Sequence, residues 1–194
     1  MIRISAVCVY AGSRLGRDPA FKLAAEHLGR GLAERRIGVV YGGGNVGIMG
    51  TLADAALAAG GRVVGVIPRF LEEREARRSD LTQQFTVDSM HERKAKMAEL
   101  SDAFVVLPGG LGTLDETFEI LTWRQLGLHD RPVLVADVAG YWGDLFRQID
   151  RAVAEGFVYG EELRLFERFD SIEAVLARLD VLAAPPHDDA LGRA

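Results

Sequence analysis

The segment Pro108-Gly109-Gly110-Leu111-Gly112-Thr113-Leu114-Asp115-Glu116 sets three glycines, a hydroxyl and two carboxylates close together. Glycines where a helix begins let backbone amides approach an anion, and the helix dipole favours negative charge there. The pattern suits a bound phosphate, held by the amides and Thr113, with a carboxylate one turn away to do chemistry. A plainer account fits the same residues. Thr113 is a natural N-cap hydroxyl, and Glu116, three residues on, completes a Thr-x-x-Glu capping box. The residues alone leave both accounts of Glu116 open.

A second glycine cluster runs Tyr41-Gly42-Gly43-Gly44-Asn45-Val46-Gly47-Ile48-Met49-Gly50 and contains a literal G-x-G-x-x-G at Gly42, Gly44 and Gly47. A dinucleotide site would also place an acid at the end of the next strand, but that strand ends Val66-Ile67-Pro68-Arg69. No Walker lysine follows either cluster. A tight strand-to-helix turn with close packing accounts for these glycines equally well.

The third group is Ser89-Met90-His91-Glu92-Arg93-Lys94-Ala95-Lys96-Met97. Ser89 and Glu92 form a capping box, so Glu92 has a sufficient structural role. Arg93 and Lys94 do not. The chain has 20 arginines and three lysines, two of them at 94 and 96. On a helix Lys94 shares a face with Met90 and Met97, where its stem could snorkel. Arg93, about 100° away, could reach a neighbouring loop or an anion with its planar fork. The four histidines are scattered without metal-ligand spacing, and no G-x-S-x-G nucleophile elbow is present. The expectation is therefore no metal and no covalent serine.

The elements that must position these groups follow from periodicity. Candidate strands are Ile4–Tyr10, Ile37–Tyr41, Arg62–Ile67, Gln84–Val87, Ala103–Leu107, Pro132–Ala136 and Leu165–Phe169. Several are apolar on both faces, as parallel strands covered on both sides must be. Amphipathic helical stretches alternate with them: Pro19–Glu34, Ile48–Ala59, Met90–Leu100, Leu114–Leu126, Trp142–Glu155 and Ile172–Leu182. Asp18-Pro19 is a good helix start. The alternation predicts a doubly wound, Rossmann-like α/β domain over residues 1–183, a parallel sheet with helices on both faces. Residues 184–194 read as a frayed tail. Ligands in such sheets bind beyond the carboxyl ends of the strands, so the loops after Tyr10, Tyr41, Ile67 and Leu107 are where a site belongs.

Composition bounds the rest. With 194 residues, 48% hydrophobic and 26% charged, the chain has the makings of one soluble globular domain. The single cysteine, Cys8, rules out an internal disulfide framework and lies in an apolar run, as a buried structural thiol would. There is no signal-peptide pattern, and no apolar run approaches the ~18 residues of a membrane helix, so the expected location is cytoplasmic. The net charge of −5 argues against a nucleic-acid partner. It conceals an asymmetry: residues 1–98 hold 15 basic and 10 acidic side chains, residues 99–194 hold 8 and 18. Arg93 and Lys94 close the basic part, just before the glycine loop at 109–112.

Taken together, Tyr41-Gly42-Gly43-Gly44…Gly47…Met49-Gly50, Met90-His91-Glu92-Arg93-Lys94 and Pro108 to Glu116 resemble the LOG ("lonely guy") family, and the likeness extends over roughly residues 3–182. Thr122-Trp123-Arg124-Gln125-Leu126-Gly127-Leu128-His129 also resembles the family's sequence after the glycine element. Members are cytokinin riboside 5'-monophosphate phosphoribohydrolases, often loosely labelled lysine decarboxylases. The resemblance implies hydrolysis of the N-glycosidic bond of an adenosine 5'-monophosphate, plain or N6-prenylated, to free base and ribose 5-phosphate. It implies catalysis by Arg93 and Glu116 and a phosphate cradle of Gly109, Gly110, Gly112 and Thr113. Lys94, Glu75 and Thr122 would lie near the nucleotide, and Leu111, Asp115, Gly43 and Gly44 would complete the binding set. Glu72, Glu73 and Glu75 all offer a carboxylate in that loop. No cofactor is implied, and a homodimer or larger homo-oligomer is. Two other readings carry discriminating features. A lysine decarboxylase needs pyridoxal phosphate on a Schiff-base lysine, for which only Lys22, Lys94 and Lys96 are available. A non-catalytic nucleotide-binding module would not need Arg93 and Glu116 together.

Overall fold

Strand β1 (Ala6–Tyr10) shows how the sequence builds its core. Side chains alternate across a strand, so Val7 and Val9 enter one apolar cluster while Ala6, Cys8 and Tyr10 enter another on the opposite face. The strand is buried throughout, which explains its unbroken apolar run. Cys8 is a free, fully buried thiol, as expected.

The structure is a computed structural model that describes residues 4–72, 78–159 and 164–183. After β1 come α1 (Pro19–Glu34), β2 (Gly38–Tyr41), α2 (Gly47–Ala58), β3 (Val63–Pro68), α3 (Arg69–Glu72), β4 (Gln83–Val87) and α4 (Met90–Glu99). The second half runs β5 (Ala103–Val106), α5 (Leu111–Gln125), β6 (Val133–Ala136), α6 (Gly143–Ala154), β7 (Glu167–Phe169) and α7 (Ile172–Ala183). The strands form one seven-stranded sheet in the order β4-β3-β2-β1-β5-β6-β7, every neighbour parallel. Side chains of α1, α2 and α7 pack on one face, and those of α4, α5 and α6 on the other. This is the doubly wound architecture that the alternation predicts. Its order reverses between β1 and β5, and a crevice opens there at the strands' carboxyl ends.

Local signals account for several helix starts. Asp18 caps α1, its carboxylate accepting from Ala20 N at 2.9 Å, with Pro19 in the first turn. Ser89 caps α4 by accepting from Glu92 N, and the Glu92 carboxylate accepts from Asp88 N at 2.8 Å. One expectation fails where it matters. Helix α5 begins at Leu111, with Gly110 as an N-cap that offers no side chain. Thr113 therefore lies inside the first turn and Glu116 inside the second, so the two form no capping box. The short α3 and a 3-10 turn at Val138–Gly140 also lie outside the expected elements. The expected tail at 184–194 falls outside the described residues.

Candidate active site

Four loops meet at the crevice. The β1 loop and the β5 loop close on each other, Gly12 N donating to Pro108 O at 3.1 Å. The β1 and β2 loops are nearer still: a Cβ on Gly47, whose φ is +70°, would stand 2.3 Å from the backbone of Ser13. Only glycine serves at that position, both for its left-handed backbone and for the approach. The β2 glycines are thus in part the packing device that the sequence allowed.

Gly42 has a second purpose. A Cβ there would lie 1.7 Å from Arg93 Nη2. Arg93 crosses from α4 into this space and donates from Nη2 to Gly42 O and from Nε to Val66 O, each at 3.2 Å. Two carbonyls from two strand ends hold the planar fork. Its Nη1 contacts the sulfur of Met90 at 3.9 Å and points to Glu116 Oε1 at 3.8 Å.

Arg93 and Glu116 are buried, at 8% and 7% exposure. Burial pushes the Glu116 carboxyl up from 4.5 to about 7. The Arg93 charge pulls the other way, but 3.8 Å is beyond hydrogen-bond distance, and Asp115 and Glu119 on the same helix add repulsion. The result is a carboxyl group able to gain or lose a proton near neutral pH, a perturbation common at reactive sites.

The two side chains border a cavity of about 270 Å³ between the β2 loop and the start of α5. Gly44, Gly110, Leu111, Gly112, Thr113 and Asp115 also line it. The free α5 N-terminus thus faces the cavity beside the buried pair. Gly109 opens onto an adjoining cavity of about 410 Å³ bounded by Phe21 and Tyr141, and Ser13, Gly110 and Leu111 border both spaces.

Three expected positions stand apart from the cavity wall. The Cβ that Gly43 lacks would meet Ile67 at 3.2 Å, so this glycine, with φ +78°, serves the packing of β2 on β3. The Lys94 ammonium is held between Asp115 and Glu119, at 3.0 Å from each. Thr122 is exposed on α5, its hydroxyl donating to Phe118 O at 2.7 Å. Glu73 and Glu75 lie outside the described residues, while Glu72 accepts from Gln84 and Thr86 of β4, both at 3.0 Å. Ser13, Met49, Leu71 and Met90 also line the cavity. Sequence reasoning singled out none of them for binding. Met90 carried a signal, since it precedes Arg93 by three residues and shares its side of α4.

No described helix is long and apolar enough to cross a membrane. Among the described residues, no cluster of three or more histidine, cysteine, aspartate or glutamate side chains could hold a metal ion.

The chain is similar to known proteins in both sequence and fold. Residues 49–179 match the family described as "Possible lysine decarboxylase". A probable cytokinin riboside 5'-monophosphate phosphoribohydrolase of Oryza sativa subsp. japonica is 45% identical over 186 residues, 96% of this chain and 76% of that protein. A cytokinin riboside 5'-monophosphate phosphoribohydrolase of Arabidopsis thaliana is 47% identical over 156 residues, 80% of this chain and 72% of that protein. Among solved structures, the molybdenum cofactor carrier protein of Chlamydomonas reinhardtii superposes with a TM-score of 0.72 at 18% identity, covering 94% of this chain and all of that one. A molybdenum cofactor binding protein of Rippkaea orientalis gives 0.69 at 20% identity, over 95% of this chain and all of that one. At such identities these structures establish the fold alone.

Proposed function

The chain belongs to the LOG family of cytokinin riboside 5'-monophosphate phosphoribohydrolases, and on that premise we propose that Arg93 and Glu116 hydrolyse the N-glycosidic bond of an adenosine 5'-monophosphate or its N6-modified derivative. The observation that carries this reading is the buried Arg93–Glu116 pair beside an open helix N-terminus.

The 5'-phosphate sits against the amides at Gly110, Leu111, Gly112 and Thr113, where the dipole of α5 favours its charge. Gly109 and Gly44 flank that cradle. Binding energy from the phosphate, remote from the reacting bond, fixes C1' of the ribose near Glu116. As the bond to the base lengthens, C1' acquires oxocarbenium character, which the ionised carboxylate stabilises. Water adds its oxygen to C1' and loses a proton to Glu116. The base nitrogen departs with the bonding electron pair and takes up a proton from solvent, while Glu116 returns the water proton to solvent, so the products are neutral base and ribose 5-phosphate. Arg93, fixed by Gly42 O and Val66 O, orients Glu116 and offsets negative charge as it develops on the leaving base.

The decarboxylase reading does not fit the residues. Lys94 is engaged by Asp115 and Glu119, Lys22 pairs with Glu26, and Lys96 pairs with Glu99. None of the three lines the cavity, so none is placed for a Schiff base there. A non-catalytic nucleotide-binding module would have no use for a carboxyl buried 3.8 Å from an arginine.

A homodimer or larger assembly goes with this reading. Phe118 on α5 and Leu126 just past its end stand exposed, apolar groups that a second copy would cover. The reading also places the protein in the cytoplasm. The direct test incubates purified protein with AMP and with isopentenyladenosine 5'-monophosphate and follows the free base by chromatography. Release of either base supports the hydrolase, and bound but intact nucleotide supports the binding module.

A further inference from the structure

Lys94 adjoins Arg93 in sequence but turns to a different task. Its side chain is 8% exposed, and the ammonium touches two carboxylates, Asp115 Oδ2 and Glu119 Oε1, both at 3.0 Å. Those residues stand one before and three after Glu116 on α5, so they surround it on its own helix. A buried cation with two anionic partners is strongly tied, and breaking such a set leaves charges without compensation. We propose that Lys94 is a positioning residue, which docks α5 on α4 and neutralises the two carboxylates flanking Glu116, so that Glu116 faces Arg93 and ionises in the working pH range.

This proposal rests on Glu116 being the reactive carboxylate. It gives Lys94 a task away from the nucleotide, consistent with its place behind the cavity wall. The charged and titratable groups around Glu116 are Arg93 and Lys94 from α4, Asp115 and Glu119 on α5, and Cys8 and Tyr10 from β1. Burial pushes Cys8 and Tyr10 far up, so both stay neutral near pH 7. Burial opposes the charge on Lys94, but its bonds to Asp115 and Glu119 outweigh that and raise its pKa, so it stays a cation. The field at Glu116 is therefore set by one arginine, one lysine and two carboxylates. Removing the lysine must make Glu116 harder to ionise, and removing Glu119 must make it easier.

The experiment measures the Glu116 ionisation midpoint twice. One readout is side-chain carboxyl 13C NMR of glutamate-labelled protein, assigned with Glu116→Gln, and the other is the pH profile of kcat/KM for AMP. Lys94→Met should move the midpoint up by about half a pH unit or more, lower kcat at neutral pH at least several-fold, and leave KM within about threefold. Lys94→Arg should restore most of the activity. Glu119→Gln, which keeps the Lys94–Asp115 pair, should move the midpoint down and still reports if Lys94→Met fails to fold. Midpoints that stay fixed, or a Lys94→Met variant whose loss lies wholly in KM, would overturn the proposal. Wild-type protein that titrates as described yet releases no base would refute the hydrolase reading instead.

Discussion

Arg93 Nη1 lies 3.8 Å from Glu116 Oε1, and each side chain is about nine-tenths buried. Neither group is hydrogen-bonded to the other, so the carboxylate keeps its lone pairs for substrate or water while the cation stays within electrostatic reach. Arg93 is itself held by two carbonyls, Gly42 O just after β2 and Val66 O in β3. Much of the site is thus assembled before any ligand arrives.

Replacing either member should remove catalysis without removing the fold. Arg93→Ala and Glu116→Ala are each expected to lower kcat/KM at least about 100-fold, with far-UV circular dichroism unchanged. Arg93→Lys should not restore activity, because a single ammonium cannot span both carbonyls and still face Glu116. Near-normal turnover in any of the three would contradict the assigned roles.

Gly42 offers a subtler probe. An alanine Cβ there would meet Arg93 Nη2 at 1.7 Å, whereas the glycine's own backbone is not left-handed. The easiest response is for the guanidinium to move. Gly42→Ala should therefore lose activity at least about tenfold while its melting temperature changes little. A large loss of stability with activity per folded molecule preserved would contradict this account.

The pH dependence follows from the state of Glu116 that works. The ionised carboxylate accepts the water proton, so kcat/KM should rise with pH and level off, with a midpoint near the value of about 7 set by burial. A profile flat from pH 5 to 9, or one falling through neutrality, would assign the base to another group.

Stability should move in the opposite sense. A carboxyl whose pKa is raised on folding holds its proton more tightly in the native state. Its ionisation costs stability as pH climbs from about 4.5, and the cost is complete above about 7. Glu116→Gln removes that cost. In urea titrations the variant should gain up to about 3 kcal/mol on wild type at pH 8 and almost nothing at pH 4. Equal differences at the two pH values would show that burial does not set the group's proton affinity.

Apolar periodicity is a local signal, so sequence patterns located the sheet and the helices around it, whereas Arg93 and Glu116 were joined only by the resemblance to the LOG family. The patterns misplaced the start of α5. A threonine looks like a cap, whereas an extended Gly110 starts the helix earlier and carries Thr113 inside. They could not tell that Lys94 would be held by α5, since α4 and α5 meet only through tertiary packing. The rule for such sheets put the loop after Tyr10, and with it Ser13, at the crevice, but Tyr141 belongs to no motif and arrives by topology.

The most direct test compares AMP with adenosine, using wild-type protein and Glu116→Gln, and quantifies released adenine by chromatography. Wild type should release adenine rapidly from AMP and at least about 100-fold more slowly from adenosine, and the variant should release none above background. Equal rates on AMP and adenosine would contradict the phosphate cradle, and an active Glu116→Gln would contradict the catalytic carboxylate.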